Sequence, residues 1–244
     1  THPRWSPDGT QLAFLASDPD VTPLTEPPSA ESFLDHLPQL WLIGSEPGAQ
    51  ARQRTWLRGG VSAPAWSPDS QRIAFGTLVH PERGLETTPA PDEQDPYQRF
   101  NRDVLVVTRT RWKSDSIGLV GDYVRQLALV STEGDGGTRL LTRAFNDLGA
   151  ATWSPDGRRL AAAGNLEPGG DQQRRQAIYL LESEAEDAAP RALFWLAEMR
   201  GNDVAWSPDG SRIAGCGHDG TGKGHYGFQK LWIVDAETGG GEPA

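Results

Sequence analysis

Short runs in which apolar residues alternate with small or polar ones recur along this chain in a fixed order. QLAFLA (11–16), RIAFGT (72–77), RLAAAG (159–164) and RIAGCG (212–217) each follow a Trp-Ser-Pro-Asp tetrapeptide. The full echoes are RWSPDGTQLA from Arg4, AWSPDSQRIA from Ala65, TWSPDGRRLA from Thr152, and VAWSPDGSRIA over 204–214. Runs of this length and period, bounded by turn residues, predict β-strands. A short strand is predicted to end at each Trp: VSAPAW (61–66), LGAATW (148–153) and NDVAW (202–206). The Pro presets φ near about −65° at the second turn position, and Gly at the fourth is free to take positive φ.

A third strand follows in each unit, QLWLIG (39–44), QLALVS (126–131), AIYLLE (177–182) and KLWIVD (230–235). Polar, Gly- and Glu-rich turns lead to a fourth: RQRTWL (52–57), TRLLTR (138–143) and RALFWL (191–196). Four antiparallel strands per unit, with no helical pattern between them, predict an all-β fold of β-propeller blades. The tryptophans at 5, 66, 153 and 206 are spaced by 61, 87 and 53 residues, so one unit recurs with insertions of different length. Trp5, Trp66, Trp153 and Trp206 are expected to pack between neighbouring blades, and Asp8, Asp69, Asp156 and Asp209 to shape the turns. Ser70 replaces the Gly of the other three turns, which predicts a non-Gly residue at positive φ and a cost of about 1 kcal/mol. The expected blades are 1–60, 61–147 with an insertion over 78–102, 148–201 and 202–244, the last lacking its outer strand. That apparent gap leads to the expectation that the four blades belong to a larger propeller of about seven.

Composition narrows the classes of function. The 244 residues include 28 Gly and 19 Pro, in keeping with frequent turns, and carry a net charge of −10. An acidic chain repels phosphate backbones, which argues against nucleic acid as a partner. No apolar run approaches the roughly 20 residues that span a bilayer, so no membrane partner is expected. The single cysteine, Cys216, cannot form an internal disulfide; a cytoplasmic location is the expectation.

Several stretches imitate chemical motifs. GCGHDG (215–220) matches Gly-x-Gly-x-x-Gly, but glycines and a strand follow where a dinucleotide site needs a helix. GHDGTGKG (217–224) lacks the Ser or Thr that would hold Mg²⁺ after the lysine. His218, Asp219 and His225 lie close in sequence without further ligands at suitable spacing, and Cys216 is expected to be a buried, inert strand-end thiol. No cofactor, metal or catalytic group is therefore assigned, and no Gly-x-Ser-x-Gly occurs anywhere. The candidates for contact with substrate or partner are Arg109, Arg111 and Trp112. Strand alternation would put the two arginines on one face, able to meet a carboxylate; the plainer reading is a solvated edge.

The WSPDG repeats, with their Ile/Leu-Ala and Leu-Trp-Ile/Leu strands, resemble TolB-type propeller repeats. The stretch RTRWKSDSIGLVGDYVRQLALVSTEGDGG (109–137) is similar to the propeller of prolyl oligopeptidase-family serine peptidases, in the acylaminoacyl-peptidase-like branch. HDGTGKGHYGFQKLWIVDAETGG (218–240) suits the same branch. The resemblance implies a propeller joined to an α/β-hydrolase domain of the same parent chain, restricting entry to short peptide substrates. It carries no catalytic residue onto this chain, which is expected to be inactive alone. The alternative is a TolB-like module that binds a partner protein without catalysis.

Overall fold

A hydroxyl and a carboxylate set the geometry of each Trp-Ser-Pro-Asp turn. The serine Oγ donates to the aspartate Oδ1, at 2.6 Å for Ser6–Asp8, 2.5 Å for Ser67–Asp69, 2.6 Å for Ser154–Asp156 and 2.5 Å for Ser207–Asp209. The same Oγ accepts the amide of the residue five positions on, for example Arg72 N at 2.9 Å. The Oδ1 accepts the amide two positions after the aspartate, as from Ser211 N at 3.0 Å. These bonds satisfy the turn's own donors and aim the chain back along the strand it has left. The fourth turn position is left-handed in every copy: Gly9, Gly157 and Gly210 at φ +73°, +70° and +72°, and Ser70 at +61°, as predicted for that serine.

A computed structural model of the chain describes residues 2–17, 34, 37–87, 110, 113–114, 118–119, 122–134, 137–173, 175–184, 189–220 and 228–244. Each of its four turns joins the first two strands of an antiparallel four-stranded sheet. The first holds β1 (Arg4–Trp5), β2 (Gln11–Ala16), β3 (Gln39–Gly44) and β4 (Arg52–Gln53) in that order. The second begins with β5 (Ser62–Trp66) and β6 (Arg72–Val79). A two-stranded hairpin, β7 (Lys113–Ser114) and β8 (Gly118–Leu119), intervenes before β9 (Val124–Ser131) and β10 (Arg139–Leu140). The third consists of β11 (Thr152–Trp153), β12 (Arg159–Gly164), β13 (Gln176–Glu182) and β14 (Arg191–Leu196). The fourth has β15 (Glu198–Trp206), β16 (Arg212–His218), β17 (Lys230–Asp235) and β18 (Gly241–Pro243). No α-helix occurs among the described residues.

Two expectations about outer strands are corrected. The fourth sheet does have one: β18 pairs with β17 from Trp232↔Pro243 to Val234↔Gly241. The glycine-rich GGGEPA resembles a tail, but the tight turn at Gly239 (φ +75°) returns it to the sheet edge. In the first two sheets the outer strand is only two residues long. The Thr55 hydroxyl takes the Leu40 amide at 3.0 Å and the Thr142 hydroxyl takes the Leu127 amide at 3.0 Å, so a side chain replaces the next ladder bond.

Three apolar cores lie between consecutive sheets. The second and third sheets are apolar on both faces because both are covered. Ile73, Phe75 and Val130 face the first sheet, while Ala74, Leu127 and Leu129 face the third. A polar joint repeats beside each core. The indole N–H of Trp66 donates to Arg4 O at 2.9 Å, that of Trp153 to Ala65 O at 3.0 Å, and that of Trp206 to Thr152 O at 3.2 Å. In each case the acceptor is the carbonyl just before the preceding unit's Trp. Arg72 lies over the Trp153 ring at 5.0 Å and ion-pairs with Glu184, and Arg159 lies over Trp206 at 5.2 Å and pairs with Glu237 at 2.8 Å. Outer-strand arginines add further bonds to turn carbonyls of the next sheet. Arg54 reaches Ser131, Glu133 and Gly134, and Arg191 reaches Ala236 and Glu237.

Candidate functional site

The joints align the four Trp-Ser-Pro-Asp turns along one edge of the array: Asp8 N donates to Ser70 Oγ at 3.2 Å, and Pro68 and Pro155 stand beside Gly157 and Gly210. The connections from third to fourth strands lie at this same edge. Every long connection therefore leaves from the opposite edge: residues 17–38, 80–123, 165–175 and 219–229.

Exposed aromatics concentrate on that long-loop edge. Trp56 follows β4, Phe145 (71 % exposed) follows β10, and Phe228 (91 % exposed) precedes β17. The connections that carry Trp56 and Phe145 are pinned by buried glutamines. Gln39 accepts from Leu57 N and the Thr55 hydroxyl and donates to Leu57 O at 2.7 Å. Gln126 likewise donates to Asn146 O and accepts from Ala144 N. Buried amide side chains thus fix the backbone under the aromatics.

The insertion of the second unit is anchored to the same edge. After β6 the chain returns across the first unit, where Leu57 bridges Thr87 and Arg58 N donates to Glu86 O at 2.8 Å. Glu86 collects the Arg83 guanidinium at 2.9 Å, that of Arg58 at 3.6 Å and the Tyr123 hydroxyl at 2.9 Å. Tyr123 in turn accepts from Arg83 at 2.8 Å, and its ring meets His80 edge-on. Burial pushes the Tyr123 phenol far above its ordinary range, so it remains a proton donor to the carboxylate. Beside this clasp runs a groove of about 560 Å³ whose lining includes His80, Arg83, Leu85, Arg139, Leu140 and Arg143. Its arginines outnumber its one carboxylate, Glu82, within an otherwise acidic chain.

Of the predicted contact residues, Arg109, Arg111 and Trp112 lie outside the described residues. Thr110, between the two arginines, donates its amide to Asp171 Oδ2 at 3.0 Å, in the β12–β13 connection of the third unit. Trp66, Trp153 and Trp206 fall at joints, whereas Trp5 is 60 % exposed. The aspartates all shape turns, and hydrogen bonds from the neighbouring serines hold the Asp8, Asp156 and Asp209 carboxyls below the ordinary range, Asp209 at about 2. At Asp69, partial burial opposes the shift, but Ser67, Gln71 N and Arg72 outweigh it.

Residues 215–218 of the glycine-rich segment belong to β16, and the chain leaves the strand at Asp219. A Cβ on Gly217 would lie 2.6 Å from Glu198 O, and one on Gly215 would press on Met199, so both glycines serve close strand packing. His218 faces Glu198 at 3.3 Å and accepts from Gly220 N through Nδ1, while Asp219 pairs with Lys230 and His225 lies outside the described residues. Cys216, expected to be buried, is exposed, because strand alternation turns it to the uncovered face of the fourth sheet. Sequence reasoning missed the clasp and the arginines of the joint. A legible signal existed for the latter: Arg72, Arg159 and Arg212 each stand six residues after a motif Trp, and Glu46, Glu133, Glu184 and Glu237 hold one position after the third strands.

Comparison with known proteins agrees with this architecture. The model of the WD domain, G-beta repeat, matches residues 202–223. The chain is 32 % identical over 181 residues to the uncharacterized peptidase YuxL of Bacillus subtilis (strain 168), covering 74 % of this chain and 24 % of that protein. The uncomplexed acylaminoacyl peptidase of Pyrococcus horikoshii superposes over 100 % of this chain and 31 % of its own, with TM-score 0.59 and 17 % identity. The β-propeller domain of the Trilobed protease from Pyrococcus furiosus covers 100 % of this chain and 56 % of its own, with TM-score 0.52 and 14 % identity. The chain thus spans about a quarter of its curated peptidase relative, and its four sheets are propeller blades of the kind such peptidases carry.

Proposed function

We propose that this chain is the non-catalytic propeller portion of a cytoplasmic serine peptidase of the acylaminoacyl type, and that its long-loop edge faces the α/β-hydrolase domain of the parent. The observation that carries the reading is the asymmetry of the array. On one edge the four Trp-Ser-Pro-Asp turns satisfy their own donors; the other bears the longest connections, the exposed aromatics Trp56, Phe145 and Phe228, and the His80–Leu85 side of the cationic groove. Exposed aromatics set along one edge are costly in water and suit a docking surface. The likeness to a peptidase at 32 % identity supports the assignment of the parent's chemistry.

In this reading the propeller acts as a steric filter: a short peptide passes, whereas a folded protein cannot bring a peptide bond to a covered serine. Arg109 and Arg111, flanking the Thr110 amide that meets Asp171 at the long-loop edge, offer guanidinium groups to the substrate carboxylate, with Trp112 beside them.

The test uses the parent polypeptide with its hydrolase domain. Arg109→Ala with Arg111→Ala should raise KM for short peptides several-fold with little change in kcat. Phe145→Ser with Trp56→Ser should loosen the docking and raise hydrolysis of an unfolded protein relative to a short peptide. Unchanged KM would remove the arginines from the site. An unchanged substrate ratio would place the hydrolase elsewhere and favour a partner-binding role for the aromatic edge.

A further inference from the structure

Four Asp-Gly bonds lie among the described residues: Asp8–Gly9, Asp156–Gly157, Asp209–Gly210 and Asp219–Gly220. An aspartyl side chain can close on the amide nitrogen that follows it, and glycine leaves that nitrogen unshielded by a β-carbon. In the three motif turns both partners are engaged elsewhere. The glycine amide donates to the serine carbonyl at 2.9 Å in each, Gly9 to Ser6, Gly157 to Ser154 and Gly210 to Ser207. The aspartate Oδ1 takes the serine hydroxyl and the amide two positions on. A carbonyl oxygen is a hydrogen-bond acceptor but no base, so these turns hold the nitrogen without activating it.

Asp219–Gly220 differs at both ends. Gly220 N donates to Nδ1 of His218 at 3.2 Å, so its acceptor is an imidazole nitrogen. A ring nitrogen that accepts carries no proton, which puts the imidazole proton on Nε2, 3.3 Å from Glu198 Oε2. Glu198 thus holds the ring in this tautomer and faces its positive charge whenever Nδ1 takes a proton. His218 is only 9 % exposed, which keeps the base in place. At the other end, Lys230 Nζ stands 3.5 Å from Asp219 Oδ2, a proton donor beside a carboxyl oxygen. Asp219 and Gly220 are themselves exposed to water.

We propose that Asp219–Gly220 is a self-modification site, at which the chain closes a succinimide and reopens it as isoaspartate. The Gly220 amide proton passes to His218 Nδ1 as the nitrogen attacks Asp219 Cγ, forming an N–C bond. The Cγ–Oδ2 bond then breaks, and the oxygen departs as water with one proton from the imidazolium and one from the Lys230 ammonium, which solvent replaces. Water adding at the ring carbonyl that was the Asp219 main-chain carbonyl breaks its bond to Gly220 N and leaves the main chain running through Cγ; water adding at Cγ restores aspartate. The isoaspartate keeps a carboxylate but lengthens the main chain by a methylene at the root of the β16–β17 connection. Neither docking nor peptide hydrolysis enters this chemistry, so it is independent of the peptidase reading.

The three motif turns supply internal controls for the test. The folded parent polypeptide is incubated in neutral buffer made with heavy-oxygen water, digested with trypsin in ordinary water, and sequenced by electron-transfer fragmentation, which separates isoaspartate from aspartate. The tryptic peptide 213–223 carries Asp219–Gly220. It should gain label and isoaspartate at least about tenfold faster than the peptides of the motif turns, and faster than the same synthetic peptide free in solution. His218→Gln keeps an acceptor for the Gly220 amide but no base, and Lys230→Gln removes the acid at an exposed position that the fold does not depend on. Each should slow the reaction about tenfold while the motif turns keep their rates. Equal rates at all four bonds, a free peptide that reacts as fast as the folded chain, or a rate indifferent to both substitutions would each overturn the proposal.

Discussion

Ser70 shows how one side chain can offset local strain. At φ +61° it occupies a conformation that costs a residue with a Cβ about 1 kcal/mol, yet its Oγ accepts Asp8 N and its carbonyl accepts the Thr132 hydroxyl. Ser70→Gly removes the strain and one hydrogen bond together, and should leave stability within about 0.5 kcal/mol of the parent. Ser70→Ala keeps the strain and loses the bond, and should cost about 1 kcal/mol, read as a lower urea midpoint at unchanged slope. The turn aspartates make a second residue-level prediction. Their folded carboxyls titrate below the ordinary value of about 3.9, so their contribution is present above about pH 4 and is lost as pH falls toward about 2. Melting temperature should drop steeply through that window, and Asp209→Asn should make the drop shallower. A profile identical to the parent's would show that Asp209 contributes nothing.

Among the elements, the inner three strands of each unit were readable because alternation and the turn residues agree on one register. β2, β3, β12 and β17 have the bounds the pattern predicts. The outer strand of the third unit was readable too, β14 matching RALFWL, but those of the first two were not, because Thr55 and Thr142 resemble any strand threonine until their hydroxyls are seen to take ladder amides. The joints carry testable energies. Trp153→Phe removes the bond to Ala65 O and weakens the Arg72 contact, and should cost roughly 1–3 kcal/mol. The first sheet has Gln11 where the others have Arg, so Gln11→Arg should place a cation over Trp66 and stabilise by about 0.5–1 kcal/mol. Gly217→Ala, with backbone 2.6 Å from its new Cβ, should cost about 1–3 kcal/mol, distinguishing a packing glycine from a dispensable one.

At the level of the whole molecule, repetition made the fold legible while leaving the site obscure. Four copies of a Trp-turn unit define a propeller from periodicity alone, because each copy needs a neighbour on both flat sides. The long-loop edge has no such redundancy. Arg58 of the first unit meets Arg83, Glu86 and Tyr123 of the second from positions up to 65 residues apart, and no pattern announces that convergence. Glu86→Gln would leave two partly buried guanidinium groups facing a neutral amide, and the 80–87 segment should then be cut by protease at lower enzyme concentration than in the parent.

The direction of the indole bond has a consequence for how such arrays change in length. Trp66, Trp153 and Trp206 each reach back to the carbonyl before the previous motif Trp, so the three joints point the same way and use equivalent atoms. Excising the stretch from one Trp up to the next, or inserting a duplicate of it, would reunite the same donor with the same kind of acceptor at the seam. Gain or loss of a whole module is therefore a gentler change than moving any single boundary by one residue, which would invert every inward and outward side chain beyond it.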